Sequence, residues 1–326
     1  PGPADQPPTL LENPGPLAAG RDLVGFYQMP AYASWDPSRV VFVSFAVFFA
    51  MILSDAGYAL VLGLLLAAWW PRMGSSASGR RLRTLCAVLV TGALAWGVLA
   101  GSYFGVSPPA QGFWGHLKLL DLHDFDMMTR LSVGIGVLHL VLAHLEQAWL
   151  KRGRLVAWAH AGWIAAMLGA FIMWLGSAQG APRWPGETGQ WLLVPGLVAV
   201  FVCSSERKVR DLHGALLRLL DGVRALTGIT RVFGDVLSYL RLFALGLASS
   251  SLALTFNDLA RQAGQVEGMG LLFAILILLA GHVLNLLLAV MSGVVHGLRL
   301  NYIEFYNWAL SGEGYAFQPF KKKETG

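Results

Sequence analysis

The chain has 326 residues, 55% hydrophobic and 13% charged, with a net charge of +5 and a mean hydropathy of +0.55. A soluble domain carries about 25% charged residues, so this composition excludes an ordinary soluble core and points to a polytopic membrane protein. The basic balance is not a nucleic-acid signature, because the cations sit in short loops between apolar runs, where they report orientation.

The chain opens PGPADQPPTLLENPGP, without Met or a cleavable signal peptide. Such a Pro-rich start reads as a linker. Residues 1–38 are predicted to be a linker and membrane-surface lead-in that follows a missing N-terminal portion, and residues 39–326 a membrane domain. The apolar block from Val40 to Trp70 is too long for one span and is interrupted by Ser54-Asp55-Ala56-Gly57, which predicts a hairpin of two spans, 40–54 and 57–70. Further spans are predicted at 82–105, 127–150, 155–175 and 191–204. A polar stretch, SERKVRDLHGALLRLLDGVR, carries Leu212, Leu216, Leu217, Leu219 and Leu220 mostly on one helical stripe, as suits a surface or partner-facing helix. The last two spans, 229–259 and 268–306, exceed the roughly 30 Å hydrocarbon core at 1.5 Å per residue and must tilt or project. The predicted fold is thus all-α and polytopic, with eight transmembrane helices.

With the N-terminus on side A, the side A loops hold Arg72, Arg80, Arg81, Arg83, Lys151, Arg152, Arg154, Arg207, Lys208, Arg210, Arg218, Arg224 and Lys321 to Lys323. Side B has Lys118, Arg183 and Arg261, with Arg130 near a span start. The positive-inside rule makes side A cytoplasmic, and eight spans return the C-terminus there. Cys86 and Cys203 lie in or beside apolar runs and read as small apolar fillers, not a disulfide or ligand pair.

Charges within spans are costly, about 2.5–3.5 kcal/mol for a central Arg on insertion scales. Arg241 and Arg299 are the two deepest cations. On the last span His282, Asn285, Ser292, His296 and Arg299 follow one helical face, with Ala289 on the same line, so that face should meet protein or water. Asp235, Ser238, Arg241 and Ser249 share roughly one side of the seventh span, beside Gly234, Ala244, Gly246, Ala248, Ser250 and Ser251, small residues that admit a close neighbour. Arg231 and Asp235 form an i,i+4 pair that reads as structural. Polar groups such as His282, Asn285, Ser249 and Ser292 serve equally well as helix–helix glue. Arg241 has no carboxylate at i±3 or i±4, so its counter-charge must come from another span or another chain. His139, His144 and Glu146 lack metal-site spacing and read as packing or hydrogen-bonding residues, and His123, Asp124 and Asp126 as solvated loop groups. The chain shows no P-loop and no nucleophile triad, which leaves no ATP site, cofactor or metal to assign.

SYLRLFALGLA and GHVLNLLLAVMSGVVHGLRLNYIEFYNWALSGEGYAFQPF resemble the membrane half of the V-type/archaeal-type rotary ATPase stator subunit, called a in vacuolar enzymes and I in prokaryotic ones. PTLLENP, FFAMILSDAGYALVLG and WGVLAGSYFG also match its pattern, and the short loops and Arg-rich composition resemble the bacterial form, as in Thermus. The resemblance covers essentially the whole chain. It implies a stator that forms two offset proton half-channels against a rotating proteolipid ring bearing buried carboxylates. ATP chemistry would reside on other subunits, and the absent N-terminal arm would tether peripheral stalks. The family's stator arginine falls on Arg241 and its second arginine on Arg299, with His296 three residues before it. Vacuolar relatives often carry His at the position of Ser249 and Glu at that of Ala289, so their proton path does not transfer whole. Asp55, Asp235, Ser238, Ser249, Asn257, His282, Asn285, Ser292 and Glu304 are the candidate half-channel groups by depth and polarity. The alternative readings are an autonomous secondary transporter or channel, although no clear inverted repeat is visible, and a non-conducting scaffold. The implied home is a prokaryotic plasma membrane with both termini of the fragment cytoplasmic. The coupling ion, H⁺ or Na⁺, would be set largely by the ring.

Overall fold

The computed structural model describes residues 7–13, 15–32, 34–177, 184–207, 211–310 and 312–317. Arg183, Lys208, Arg210, Lys321, Lys322 and Lys323 of the charge pattern, and the first six residues, lie outside the described residues. A short helix, α1 (Ala18–Tyr27), leads to strand β1 (Met29–Pro30). The first hairpin is α2 (Ser38–Leu53) and α3 (Ala56–Met73), followed by α4 (Ala77–Ala100) and the short α5 (Phe113–His116). Then come α6 (Phe125–Leu150), α7 (Leu155–Gly176), α8 (Trp184–Cys203) and α9 (Leu212–Leu226). The last part comprises α10 (Gly228–Leu237), α11 (Leu240–Ala263), α12 (Gly270–Arg299), a π-helical turn over Leu300–Phe305 and α13 (Tyr306–Ala309). Strand β2 (Glu313–Gly314) returns to pair antiparallel with β1.

Among the described residues seven helical stretches are long and apolar enough to cross a membrane, and α2, of 16 residues, is a shorter apolar helix. Its length of about 24 Å falls short of the roughly 30 Å hydrocarbon core. Yet α2 is the centre of the molecule. Twelve of its residues are buried, and it packs against α1, α4, α11 and α12. One side of α2 contributes Phe42, Phe45 and Phe49 to a cluster with α3 and α4, and the other contributes Phe48, Met51 and Ile52 to a cluster with Tyr239, Leu242 and Leu300.

Local chemistry sets the element ends. Ser54 takes a left-handed conformation (φ +47°) that closes α2, and Asp55 caps α3 by accepting from the Tyr58 N–H at 3.0 Å. Ser76 and Asp124 cap α4 and α6 in the same way. Helix α4 stops at Ala100, short of the expected Gly105, because Gly101 adopts φ +63°. Helices α7 and α8 pack backbone to backbone: a Cβ on Gly169 would meet the Gly189 oxygen at 2.7 Å, and one on Gly162 the Gly196 oxygen at 2.6 Å. Each helix thus presents its glycines seven residues apart, the small-residue seam that lets membrane helices close in. This seam carries α8 back to Trp184, well before the expected start at Trp191.

Two expected continuous helices are broken. The seventh span is interrupted at Ser238–Tyr239, where Tyr239, Arg241 and Leu242 donate their N–H groups three residues back, to Val236, Ser238 and Tyr239. The turn tightens because Tyr239 is fully buried, with its hydroxyl 2.7 Å from His139 Nδ1. The last span is interrupted by the π-turn, which one-dimensional periodicity does not reveal.

Candidate functional site

Arg241 lies in the first turn of α11, just past this break. Its side chain is 23% exposed, and Nη1 stands 3.9 Å from Glu304 Oε1, whose side chain is 3% exposed. The expectation that Arg241 lacks a sequence-local carboxylate holds, but its counter-charge is present in this chain, on the π-turn. In an unbroken α-helix Glu304 would fall about 80° around from His296. A π-turn absorbs one extra residue and brings it back to within about 20° of the His296 line. Arg241, Arg299 and Ser238 are the groups that act on the Glu304 carboxylate, and Arg241 and Arg299 act on His296.

The pair is close but incomplete. Arg241 Nη1, Glu304 Oε2 and His296 Nδ1 are all buried without a hydrogen-bond partner among the described residues. Arg299 is exposed at the end of α12. The backbone behind is fixed. Asn301 is fully buried, accepts from Ser44 Oγ at 2.5 Å and donates to the Gly297 oxygen at 3.0 Å. Phe305 stacks on His139 at 4.3 Å. So α2 and α6 back the π-turn, and Arg241 on α11, His296 on α12 and Glu304 on the π-turn each keep a buried polar atom without a hydrogen-bond partner among the described residues.

A second cluster joins Asp55, Ser249, Asn257, His282 and Asn285, and it is complete. Tyr58 O–H meets His282 Nδ1 at 2.7 Å, and His282 Nε2 meets Asn257 Oδ1 at 3.0 Å. Asn257 Nδ2 donates to the Phe104 oxygen at 2.9 Å, which fixes its amide orientation. The proton of His282 therefore sits on Nε2, and Nδ1 accepts from Tyr58. Asn285 Nδ2 donates to the Tyr58 oxygen (3.0 Å) and the Ser249 carbonyl (2.8 Å), while Ser249 Oγ donates to Asn285 Oδ1 (3.3 Å). Asp55 accepts from Tyr58 N, Ser102 Oγ, Phe104 N and Gly105 N, all within 3.0 Å. It thus clamps the turn after α4 to the start of α3, holding Phe104 at φ +52° against Tyr58 and His282.

The remaining candidates fall elsewhere. Asp235 accepts from Trp308 Nε1 at 2.6 Å and lies 4.0 Å from Arg231, whose guanidinium covers the Trp308 ring; this is the structural pair the sequence suggested. Ser238, which also acts on Glu304, bonds back to the Gly234 oxygen, and Ser292 is half-buried. His139 and His144 are buried hydrogen-bonding residues; His144 Nδ1 meets His160 Nδ1 at 3.0 Å, and His160 Nε2 meets Lys151 Nζ at 3.1 Å. Before and at the start of α6, Asp124 caps the helix, Asp126 lies 3.5 Å from Arg130, and the His123 N–H, with Lys118 nearby, holds the Asp121 carboxyl below its ordinary range. Tyr58 and Tyr239 are what sequence reading missed. Both are buried tyrosines inside the quoted motifs, and a buried phenol needs a partner.

Residues 233–322 match the family model described as the V-type ATPase 116kDa subunit family. V-type ATP synthase subunit I of Chlamydia trachomatis is 31% identical across 99% of this chain and 57% of its own length. That of Chlamydia pneumoniae is 29% identical across 97% and 55%. A-type ATP synthase subunit I of Methanocaldococcus jannaschii is 26% identical across 98% and 50%. The chain spans about half the length of the curated relatives it matches.

Proposed function

The chain belongs to the V-type ATPase 116 kDa subunit family, the subunit a/I family of V/A-type ATPases, and from that premise we propose that it is the membrane stator of a rotary ATPase or ATP synthase. In this reading eight spans sit in a prokaryotic plasma membrane with both ends of the chain cytoplasmic. The last two spans, tilted, face a rotor ring of proteolipid subunits, and peripheral-stalk subunits hold the stator against it. Two offset half-channels bring protons to each ring carboxylate and take them away. The observation that carries the proposal is the Arg241 guanidinium, whose Nη1 is buried 3.9 Å from Glu304 and without a hydrogen-bond partner among the described residues.

Burial favours the neutral form of a ring carboxylate, and a nearby guanidinium favours the ionised form. Arg241 would therefore draw the proton off each carboxylate as it passes and block direct transfer between the half-channels. At about 4 Å and an effective dielectric near 20 two unit charges attract by about 4 kcal/mol. A ring carboxylate at that distance would match what Glu304 offers, so Arg241 can exchange between them without a deep trap. Glu304 then acts as the resting counter-charge. Arg299 and His296 line the approach and keep the local field positive. A lysine would serve badly, since it loses its proton on burial and lacks the planar fork. The test is Arg241→Gln in the assembled enzyme, followed by ATP-coupled proton flux. Flux should fall to background with the complex intact, and retained coupled flux would refute the proposal.

A further inference from the structure

One ring touches both sides of the Arg241–Glu304 pair. His139, on α6, is 4% exposed. Its face stacks on Phe305 at 4.3 Å with the planes 6° apart, and Phe305 follows Glu304 on the π-turn. Its Nδ1 lies 2.7 Å from the hydroxyl of Tyr239, two residues before Arg241. Phe48 of α2 meets both rings edge-on, at 5.2 Å from His139 and 5.7 Å from Tyr239. Gly136, on the same face of α6, makes room for Tyr239: a Cβ there would come within 2.8 Å of that ring.

Polar pairing is a costly way to fill this space. If Nδ1 accepts from the phenol, Nε2 carries a hydrogen, and Nε2 is buried without a partner among the described residues. The reverse polarity would leave the phenol hydrogen unpaired as well, since the Tyr239 hydroxyl has no second partner among the described residues. The phenol is therefore the donor. Two phenylalanines would leave no polar atom unpaired, and replacing both partners of a buried hydrogen bond by apolar groups of the same shape is nearly neutral or stabilising. Packing alone thus does not call for this histidine and tyrosine. What the hydrogen bond adds is direction: it fixes Tyr239 against α6 at the tightened turn from which Arg241 departs. We propose, on the stator role given to Arg241 above, that His139 is a positioning residue for that arginine: it ties the two segments that carry Arg241 and Glu304 to α6 and so sets their separation. Nη1 and Oε1 stand 3.9 Å apart, wider than the roughly 2.7–2.9 Å of a charge-assisted hydrogen bond. At that spacing Glu304 balances the guanidinium without locking it, which leaves it free to meet a ring carboxylate.

The test uses the assembled enzyme in proteoliposomes, with His139→Phe, Tyr239→Phe and the double variant beside Arg241→Gln. ATP-coupled proton flux should fall about tenfold in each single variant, since displacing a reacting group by about 1 Å can cost about a hundredfold. It should fall no further in the double variant, because the same tie is lost once. Passive proton leak per assembled complex should rise toward that of Arg241→Gln, a change that a lower yield of folded protein does not produce. The thermal unfolding midpoint of the double variant should match that of the unaltered protein. Unchanged flux and leak in the double variant, while Arg241→Gln still loses flux, overturn the positioning role and leave the stator role standing. Additive losses overturn it too, as does a lowered midpoint with flux per intact complex unchanged. Retained flux in Arg241→Gln refutes the stator role itself, and the positioning role with it.

Discussion

Two polar clusters lie along α11 and α12, and they differ in one respect. Around Tyr58, His282, Asn257, Asn285 and Ser249 the side-chain polar atoms are paired by hydrogen bonds within this chain. Around Arg241, Glu304 and His296 three buried polar atoms have no partner among the described residues. A buried polar group left unpaired costs about 1–3 kcal/mol, and more if charged. Under the proposed function the open cluster finds its use against a partner outside this chain. The complete network reads as architecture, the open one as a working surface.

The contrast can be broken or sharpened by substitution, from the largest expected effect downward. Arg241→Gln should bring ATP-coupled proton flux to background while the thermal unfolding midpoint in detergent stays within the scatter of the unaltered protein. Glu304→Gln should lower coupled flux about tenfold, a barrier change of about 1.4 kcal/mol, because Arg241 then lacks its resting counter-charge; an unchanged rate would remove Glu304 from the mechanism. In the closed cluster the order of readouts reverses. Asp55→Asn should destabilise by about 1.5–3 kcal/mol, since hydrogen bonds to a charged acceptor are lost, and thermal melting would register it. Asn285→Ala should cost about 1–3 kcal/mol by the same measurement, leaving the Ser249 carbonyl and Tyr58 oxygen short of a donor. Tyr58→Phe should cost about 1 kcal/mol with coupled flux retained. Lost flux in Tyr58→Phe at unchanged stability would show that the closed network also conducts.

Much of the architecture was legible beforehand. Apolar run lengths announced a mostly helical chain with several membrane-length apolar helices, the Ser54–Asp55 interruption falls between α2 and α3, and the final motifs carried the family. The leucine stripe of α9 suits a membrane surface or a partner, and four of its five leucines, Leu212, Leu216, Leu219 and Leu220, are exposed while Leu217 is half-buried. Less legible were the two helix breaks. A turn tightened by a buried tyrosine at position 239 and a π-turn at 300–305 leave no mark on an apolar pattern, because a one-residue change of register within a single turn does not alter which residues are apolar.

By itself the sequence determined which segments are apolar enough for the bilayer, that Arg241 and Arg299 fall within apolar runs, and that Arg241 has no carboxylate within a turn of its own helix. Those are properties of composition and of the 3.6-residue period, which a single helix already expresses. Only the tertiary structure decided that Glu304 faces Arg241 and that Asp55 is a fourfold-bonded clamp. It also decided that Tyr58 closes a network with His282 across 224 residues of chain. Each of these depends on a contact between elements distant in sequence, or on one residue absorbed by a π-turn, and neither leaves a trace in local periodicity.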